Sequence, residues 1–389
     1  AVKHIILTGG TDTAQNIARS NPSTPLSAET GGMNAIILTA SGDRDHAIMN
    51  IVASAFGNAG QKCSACSLLL VERSVYEDKN FQDKLKDAAT SMKVGSVWNP
   101  GNVVGPMITN KNDKLLKALE LEKGESWLVP PRFLDKHKYV LAPTVKWGVR
   151  PGNYSFRTEL FGPMLSVVCI ENLQQGINWV NSLDYGLTSG LQSLDEGEQK
   201  LWKDSIMAGN LYINRGITGA IVNRQPFGGM KLSAFGGGVK AGGPNYCACF
   251  VKITDKLGST TDYTQSYVKA YEQEFAHARD VNNLYGEQNA FRYLPLKNMV
   301  LRLFPGDNNE DAKMIALAAR ICHTPLSISF EPGDDRTAAL ASLGCPLKEE
   351  ALAGFLKSMK NYERIRTCGA DIPMEMYEEA ARIDKYIAT

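Results

Sequence analysis

Short apolar runs, partly β-branched, alternate along this chain with longer stretches in which apolar positions recur three or four residues apart. Residues 4–7 read as a strand, Thr8-Gly9-Gly10-Thr11 as a turn, and 12–19 as a helix stopped by Asn21-Pro22-Ser23-Thr24-Pro25. A second strand starts near Asn34 and runs through Ile36-Ile37-Leu38. Residues 45–58 then carry Ile48, Val52, Ala55 and Phe56 at helical spacing, and 57–60 end that helix in glycines. A buried strand at 67–71 and a charged amphipathic helix at 76–92 follow. Alternation of this kind predicts an α/β fold.

The same rhythm continues after a turn-rich loop at 95–110. It predicts a helix at 112–123, extended segments at 127–129 and 139–145, a strand at 164–170, a helix at 174–181, a strand at 188–193, a helix at 196–207 and a strand at 209–214. Residues 216–243 are so rich in glycine that they read as backbone-determined loop. Gly258-Ser259-Thr260-Thr261 reads as a linker. Beyond it, a helix at 263–277, a turn at 283–289, a strand at 299–304, a helix at 311–322 and a strand at 326–330 predict a second, smaller α/β unit. No long-period repeat is visible.

Composition narrows the function classes. The chain has 389 residues and is 43% hydrophobic, enough for a substantial core and more than one domain. Lys and Arg total 42 against 41 Asp and Glu, and no dense basic run occurs, so nothing draws the chain toward nucleic acid or an anionic membrane. The longest apolar stretches fall well short of the roughly 20 residues a membrane span needs. The first residues do not resemble a secretory signal, and they read as a chain entered in mid-fold. Eight cysteines spread over this length favour free thiols in a reducing compartment. Cys63-Ser64-Ala65-Cys66 has the spacing of a dithiol or half a zinc site, and Cys247 and Cys249 form a second close pair. Neither has the other half of a metal site nearby, so no metal is expected.

Candidate chemistry concentrates early in the chain. Cys63 ends a glycine-bearing loop between a predicted helix and a buried strand, a placement that suits a displayed nucleophile and equally a buried inert thiol. Lys62 beside it lowers the thiol pKa only if its ammonium faces the sulfur. Glu29, in Ala28-Glu29-Thr30-Gly31-Gly32, is a carboxylate beside two glycines, suited to activating water or simply exposed in a turn. Gly9, Gly10 and Thr11 ahead of a helix make a weak phosphate cradle without the full Gly-x-Gly-x-x-Gly fingerprint.

Taken together in order, these blocks resemble the NAD(P)-dependent aldehyde dehydrogenases. The matching segments are Leu7-Thr8-Gly9-Gly10-Thr11, Glu29-Thr30-Gly31-Gly32, Gly60-Gln61-Lys62-Cys63, Glu159-Leu160-Phe161-Gly162-Pro163 and Pro226-Phe227-Gly228-Gly229-Met230-Lys231, with 34 residues from Glu29 to Cys63. Within that family, Tyr212-Ile213-Asn214-Arg215, Thr218-Gly219-Ala220-Ile221-Val222 and Lys240-Ala241-Gly242-Gly243-Pro244-Asn245-Tyr246 are most similar to the glutamate-semialdehyde (pyrroline-5-carboxylate) dehydrogenase module of bifunctional proline-utilisation proteins, the PutA group.

The resemblance implies Cys63 as nucleophile, Glu29 as the base for thioester hydrolysis, and NAD as cofactor. It implies Gly9, Gly10 and Thr11 at the phosphates, Glu159 at the nicotinamide ribose and Phe161 near the ring. Gly219 and Ala220 would hold the α-carboxylate of a small acidic aldehyde, with Ser64 and Phe227 lining that pocket. It further implies residues 1–30 as a remnant of the NAD-binding domain, 31–215 as the catalytic domain, 216–254 as the anchor loop and return segment, and 255–389 as a non-catalytic carboxy-terminal relative of the fold. An upstream FAD-bearing proline dehydrogenase domain, homo-oligomeric assembly and a cytoplasmic setting with peripheral contact at the inner membrane belong to the same expectation.

Three departures stand out. Gly10 replaces a usual serine, Asn223 replaces a usual glycine, and Ser233-Ala234-Phe235-Gly236 replaces a serine-glycine pair. The family's oxyanion asparagine and the lysine that contacts the adenosine ribose are expected upstream of Ala1, which reads as a truncated module. Three alternatives remain: an aldehyde dehydrogenase for another small acidic aldehyde, a structural or interaction piece of the same fold, and a thiol-dependent esterase needing no cofactor.

Overall fold

A computed structural model describes residues 2–221, 224–251, 263–369 and 371–389. The expected linker at 258–261 and the Asn223 departure lie outside them. The chain divides into two compact units, one formed by 1–28, 221–226 and 235–389, the other by 29–220 and 227–234.

The amino-terminal part of the first unit is strand β1 (Ile5–Gly9), helix α1 (Thr11–Ser20) and strand β2 (Leu26–Thr30), the last running on into the second unit. These strands form a three-stranded sheet of order β1-β2-β12 with β12 (Ala234–Phe235), and α1 reaches the tail of the chain, where the Gln15 amide donates to Asp384 Oδ2 at 2.8 Å.

The second unit is built on a seven-stranded sheet of order β10-β9-β3-β4-β7-β6-β5. Its strands are β3 (Asn34–Leu38), β4 (Cys66–Glu72), β5 (Ser126–Val129), β6 (Thr144–Val149), β7 (Met164–Ile170), β9 (Thr188–Gln192) and β10 (Asn210–Ile213). All pair in parallel except β5 on β6. A parallel sheet covered on both faces needs nearly continuous apolar strands, which Asn34-Ala35-Ile36-Ile37-Leu38 and Ser67-Leu68-Leu69-Leu70-Val71 supply. Alternation sends Ile36, Leu38, Leu69 and Val71 to one face with helix α2 (Arg44–Phe56), and Ile37, Leu68 and Leu70 to the other, with helix α7 (Leu173–Asn181) and Trp202. Each such side chain stabilises the fold by about 1.5–3 kcal/mol when fully buried.

Three expectations need correcting here. The helix expected at 76–92 is two helices, α3 (Arg73–Tyr76) and α4 (Lys79–Ser91), because the Asp78 side chain accepts from the Asn80 N–H at 2.9 Å and caps a fresh start. The helix expected at 112–123 is only α5 (Asp113–Ala118); soon after it the Glu120 carbonyl is taken by Lys146 Nζ at 2.7 Å. That lysine also moves the expected strand at 139–145 to β6: buried with Glu125 at 2.9 Å, it carries the strand through a polar position to Val149. The short α6 (Tyr154–Arg157) and β8 (Tyr185–Gly186), and the helix α8 (Glu196–Ser205), complete the unit together with β11 (Met230–Lys231). With β12 (Ala234–Phe235), β11 interrupts the expected glycine-rich loop.

The rest of the first unit begins with α9 (Tyr263–Ala270), which gives way to a wider turn at Tyr271–Phe275 instead of running on to 277. A five-stranded parallel sheet of order β15-β14-β13-β16-β17 follows, from β13 (Met299–Arg302), β14 (Leu326–Phe330), β15 (Leu347–Glu349), β16 (Arg364–Thr367) and β17 (Ile387–Ala388). Helices α10 (Asn309–Ile321) and α11 (Thr337–Ala341) pack on one face, and α12 (Leu352–Ser358) and α13 (Met374–Arg382) on the other. No helix among the described residues is long and apolar enough to cross a membrane.

Candidate active site

Adjacent strands β9, β3, β4 and β7 receive their leading segments at one edge of the second unit's sheet. Thr188 opens β9, Asn34 opens β3, Cys63 lies just ahead of β4, and Glu159-Leu160-Phe161-Gly162-Pro163 runs into β7.

The nucleophile candidate is delivered by a tight turn. Asn58 and Ala59 take left-handed backbone angles (φ 55° and 54°), followed by Gly60 at 66°. A side chain on Gly60 would strike the Gly162 carbonyl, so the turn and the segment before β7 fit only with glycine there. Gln61 anchors the next step by accepting from the Ile108 N–H at 2.8 Å, and the Ala65 N–H closes onto the Lys62 carbonyl at 2.9 Å. Cys63 ends up half-buried, and Lys62 is exposed.

Two carboxylates act on this sulfur. Burial pushes the Cys63 thiol above its ordinary range, and the charges of Glu159 and then Glu29 push the same way, against the Ser64 and Cys63 N–H groups. These influences favour the thiol over the thiolate, so a nucleophilic role for Cys63 calls for a base to take its proton. Glu159 is itself raised by burial, opposed by the Gly32 N–H and by the charge of Lys114. That N–H donates to Glu159 Oε1 at 2.8 Å. The Gly31-Gly32 pair makes the approach possible: a Cβ on Gly31 (φ 59°) would lie 2.5 Å from Glu159 Oε2, and one on Gly32 would lie 2.6 Å from the Cys63 carbonyl.

Glu29, on β2, turns one oxygen to the Gly229 N–H at 3.0 Å. Gly228 donates its N–H to Asn210 Oδ1 at 3.2 Å, and Thr30 is tied to 232–233 by Oγ1 to Leu232 O (2.6 Å) and by its N–H to Ser233 O (2.9 Å). The base candidate and the segment following half-buried Phe227 are thus one hydrogen-bonded piece. Phe161, exposed and at φ 48°, lines a small open cleft with Glu159, Lys62, Gly32 and Cys66.

The structure therefore brings Cys63, Ser64, Glu29, Glu159 and Phe161 to one edge. Ser64 is buried, its carbonyl accepting from Thr188 Oγ1 at 3.3 Å. Gly219, exposed with φ 83°, and half-buried Ala220 end the long run of the second unit just past Ile217, whose N–H bonds Ser54 Oγ at 3.0 Å. Gly9, Gly10 and Thr11 belong to the first unit, where Gly10 caps α1 without a side chain. Cys66 lies in a different setting from half-buried Cys63: it is buried, donates to Leu68 O at 3.2 Å, and its thiol is pushed up to about 12 by burial. Among the described residues no group of three or more His, Cys, Asp or Glu side chains is placed to hold a metal ion.

Sequence reasoning passed over Asn34, Thr188 and Asn210. All three are buried polar residues at the first position of a strand; for Asn34 and Asn210 the strand that follows is apolar or aromatic, and that pattern was the available signal.

Residues 1–255 match the model of the aldehyde dehydrogenase family. The chain belongs to that family. A 1-pyrroline-5-carboxylate dehydrogenase of Geobacillus sp. (strain WCH70) is 35% identical over 221 residues, covering 56% of this chain and 42% of that one. Among solved structures, proline utilization A (PutA) from Corynebacterium freiburgense superposes with a TM-score of 0.83 at 36% identity, covering 99% of this chain and 39% of that one. A Thermus 1-pyrroline-5-carboxylate dehydrogenase with bound NAD gives 0.59 at 32% identity, over 64% of this chain and 49% of that one. The chain spans less than half the length of each of these relatives. The likeness to the PutA structure extends through the five-stranded carboxy-terminal sheet, beyond the family match.

Proposed function

We propose that this aldehyde dehydrogenase chain contributes the nucleophile and the base for NAD-dependent oxidation of L-glutamate γ-semialdehyde to L-glutamate. The observation that carries the reading is the convergence of Glu29 and Glu159 on the half-buried Cys63 thiol at one sheet edge. The choice of substrate is supported by the chain's likeness to 1-pyrroline-5-carboxylate dehydrogenases. Glu29 takes the Cys63 proton and passes it to solvent as the thiolate attacks the aldehyde carbon, forming a thiohemiacetal whose oxyanion faces the Cys63 N–H. NAD, when bound, would supply the hydride acceptor that oxidation to the thioester needs. Glu29 then takes a proton from water as the water oxygen attacks the thioester carbon, the C–S bond breaks to release the acid, and that proton returns to the Cys63 sulfur to restore the thiol.

A half-buried carboxylate at a cleft, with Glu159 Oε1 already held by the Gly32 N–H, suits the hydroxyls of a ribose, and Phe161 lines the same cleft. The exposed backbone of Gly9 and Gly10 at the start of α1 suits a phosphate. Gly219, Ala220, Ser64 and Phe227 are proposed to receive the α-carboxylate end of the substrate. Fusion to an FAD-bearing proline dehydrogenase domain, homo-oligomeric assembly and a cytoplasmic setting complete the reading for the parent protein, in keeping with the PutA likeness.

NADH formation from glutamate semialdehyde, measured with this chain and with a version extended upstream, each beside a Cys63→Ala control, tests the proposal. Activity in the extended, Cys63-intact protein supports it. A folded, NAD-binding extended protein that leaves this aldehyde untouched overturns the substrate assignment.

A further inference from the structure

The three carbonyls of Cys63, Ser64 and Ala65 all point into the protein, and two of them end on one side chain. Asn34 Nδ2 donates to Cys63 O at 2.7 Å and to Ala65 O at 2.9 Å, and Asn34 Oδ1 accepts from the Thr188 N–H at 3.0 Å. Only this amide orientation satisfies two carbonyls and one N–H at once. The third carbonyl, of Ser64, is held by Thr188 Oγ1. Asn34 is 2% exposed, and it sits where the β3–β4 pairing slips, between Asn34↔Cys66 and Ala35↔Leu68. A break in register leaves backbone groups without ladder partners, and the Asn34 amide provides them.

In a planar trans peptide the C=O of one residue and the N–H of the next point in opposite directions. Drawing the Cys63 carbonyl inward therefore turns the Ser64 N–H outward, toward the side on which the sulfur lies. We infer that Asn34 is a positioning residue for the nucleophile: it grips the Cys63 carbonyl from behind and so aims the Ser64 N–H at the Cys63 sulfur. This rests on Cys63 being the nucleophile of the proposed oxidation. The Ser64 N–H is the first of the two groups that favour the thiolate, against burial and the charges of Glu159 and Glu29. Losing its aim leaves those three opposing influences with less to counter them.

The test is the pH dependence of Cys63 alkylation by iodoacetamide in the full chain, read by mass spectrometry of the peptide containing it. Asn34→Ala should move the midpoint upward by about one pH unit, with about a tenfold slower reaction below it, and Asn34→Ser, which keeps one donor, should move it less. A folded Asn34→Ala chain with the wild-type midpoint overturns the inference. If that variant fails to fold, a folded Asn34→Ser chain with the wild-type midpoint does so instead. The reaction needs neither aldehyde nor NAD. A shifted midpoint, beside no NADH formation by the folded, NAD-binding extended protein, would keep the role of Asn34 and reject the oxidation; NADH formation by the extended protein with an unmoved midpoint would do the reverse.

Discussion

The two large sheets of this chain share a parallel, helix-covered architecture and use opposite edges of it. In the second unit, polar chemistry gathers where the chain enters the strands: Asn34, Cys63, Glu159 and Thr188 all precede or open a strand. In the carboxy-terminal sheet it gathers where the chain leaves them, the edge at which open α/β sheets usually bind ligands. There Arg302 closes β13 fully buried, donating to Ser329 Oγ and to the Glu350 carbonyl, each at 2.8 Å, and pairing with Glu331. Arg336 likewise takes the carbonyls of Asp307 (2.7 Å) and Phe304 (2.9 Å) and pairs with Asp334. At one sheet edge Glu159 lines a cleft, and its charge and that of Glu29 act on the Cys63 thiol; at the other, Arg302 and Arg336 are engaged with acidic partners and backbone carbonyls. Architecture common to both thus says little about chemistry, which follows from the side chains each edge carries and what they touch.

The largest effect that would sharpen this contrast comes from the cysteines. In the upstream-extended protein, Cys63→Ala should lower aldehyde oxidation at least about a thousandfold, as loss of a covalent nucleophile does elsewhere. Cys368→Ala should stay within about twofold, since the Cys368 thiol is pushed up to about 12 by burial and the charges of Asp307 and Asp311. Comparable losses in both variants would break the comparison. Glu29→Gln comes next: turnover should fall by about 10²–10⁴-fold, with a thioester on Cys63 accumulating in quenched samples. A normal steady state in this variant would move the water-activating role elsewhere.

The carboxy-terminal edge has its own test, read in stability. Arg302→Ala strands Glu331 and leaves the Glu350 carbonyl short of a donor. The cost should be about 3 kcal/mol of unfolding free energy, the low end for a broken buried pair because Glu331 keeps a route to water. Denaturant unfolding measures it, and Cys63 alkylation in the native chain should not change. An altered alkylation rate would show that the two edges are energetically coupled.

Legibility in the sequence followed the same divide. The strands at Met164–Ile170 and Leu326–Phe330 match their expected bounds because the first is a mostly apolar run after Gly162-Pro163 and the second alternates apolar residues with serine between Pro325 and Pro332. Asp78 and Lys146 defeated the pattern: one is a cap hidden inside a helical period, the other a buried charge whose partner, Glu125, lies on a different segment. Past residue 330 nothing was read, since Leu347-Lys348-Glu349 and Arg364-Ile365-Arg366-Thr367 become strands only through neighbours distant in sequence. Cys63, Glu29 and Glu159 were legible as ordered blocks of a family. Asn34 and Thr188 were not, because what they do depends on the register of β3 against β4 and β9.

The smallest predicted effect separates charge from burial at the nucleophile. Glu159 is the second cause, after burial, of the raised Cys63 pKa. Removing its charge favours the thiolate, so Glu159→Gln should lower the alkylation midpoint by less than about one pH unit and leave it above the ordinary thiol range, because burial persists. The sign matters: at any pH below the midpoint the variant thiol reacts faster than wild type, while aldehyde oxidation falls as the proposed ribose contact is lost. A midpoint that stays put would mean that the Glu159 charge does not set the thiol, and that this carboxylate lies at the edge for its contact to cofactor. A midpoint that drops, with oxidation falling, would mean that Glu159 keeps the sulfur protonated until the cofactor engages that carboxylate.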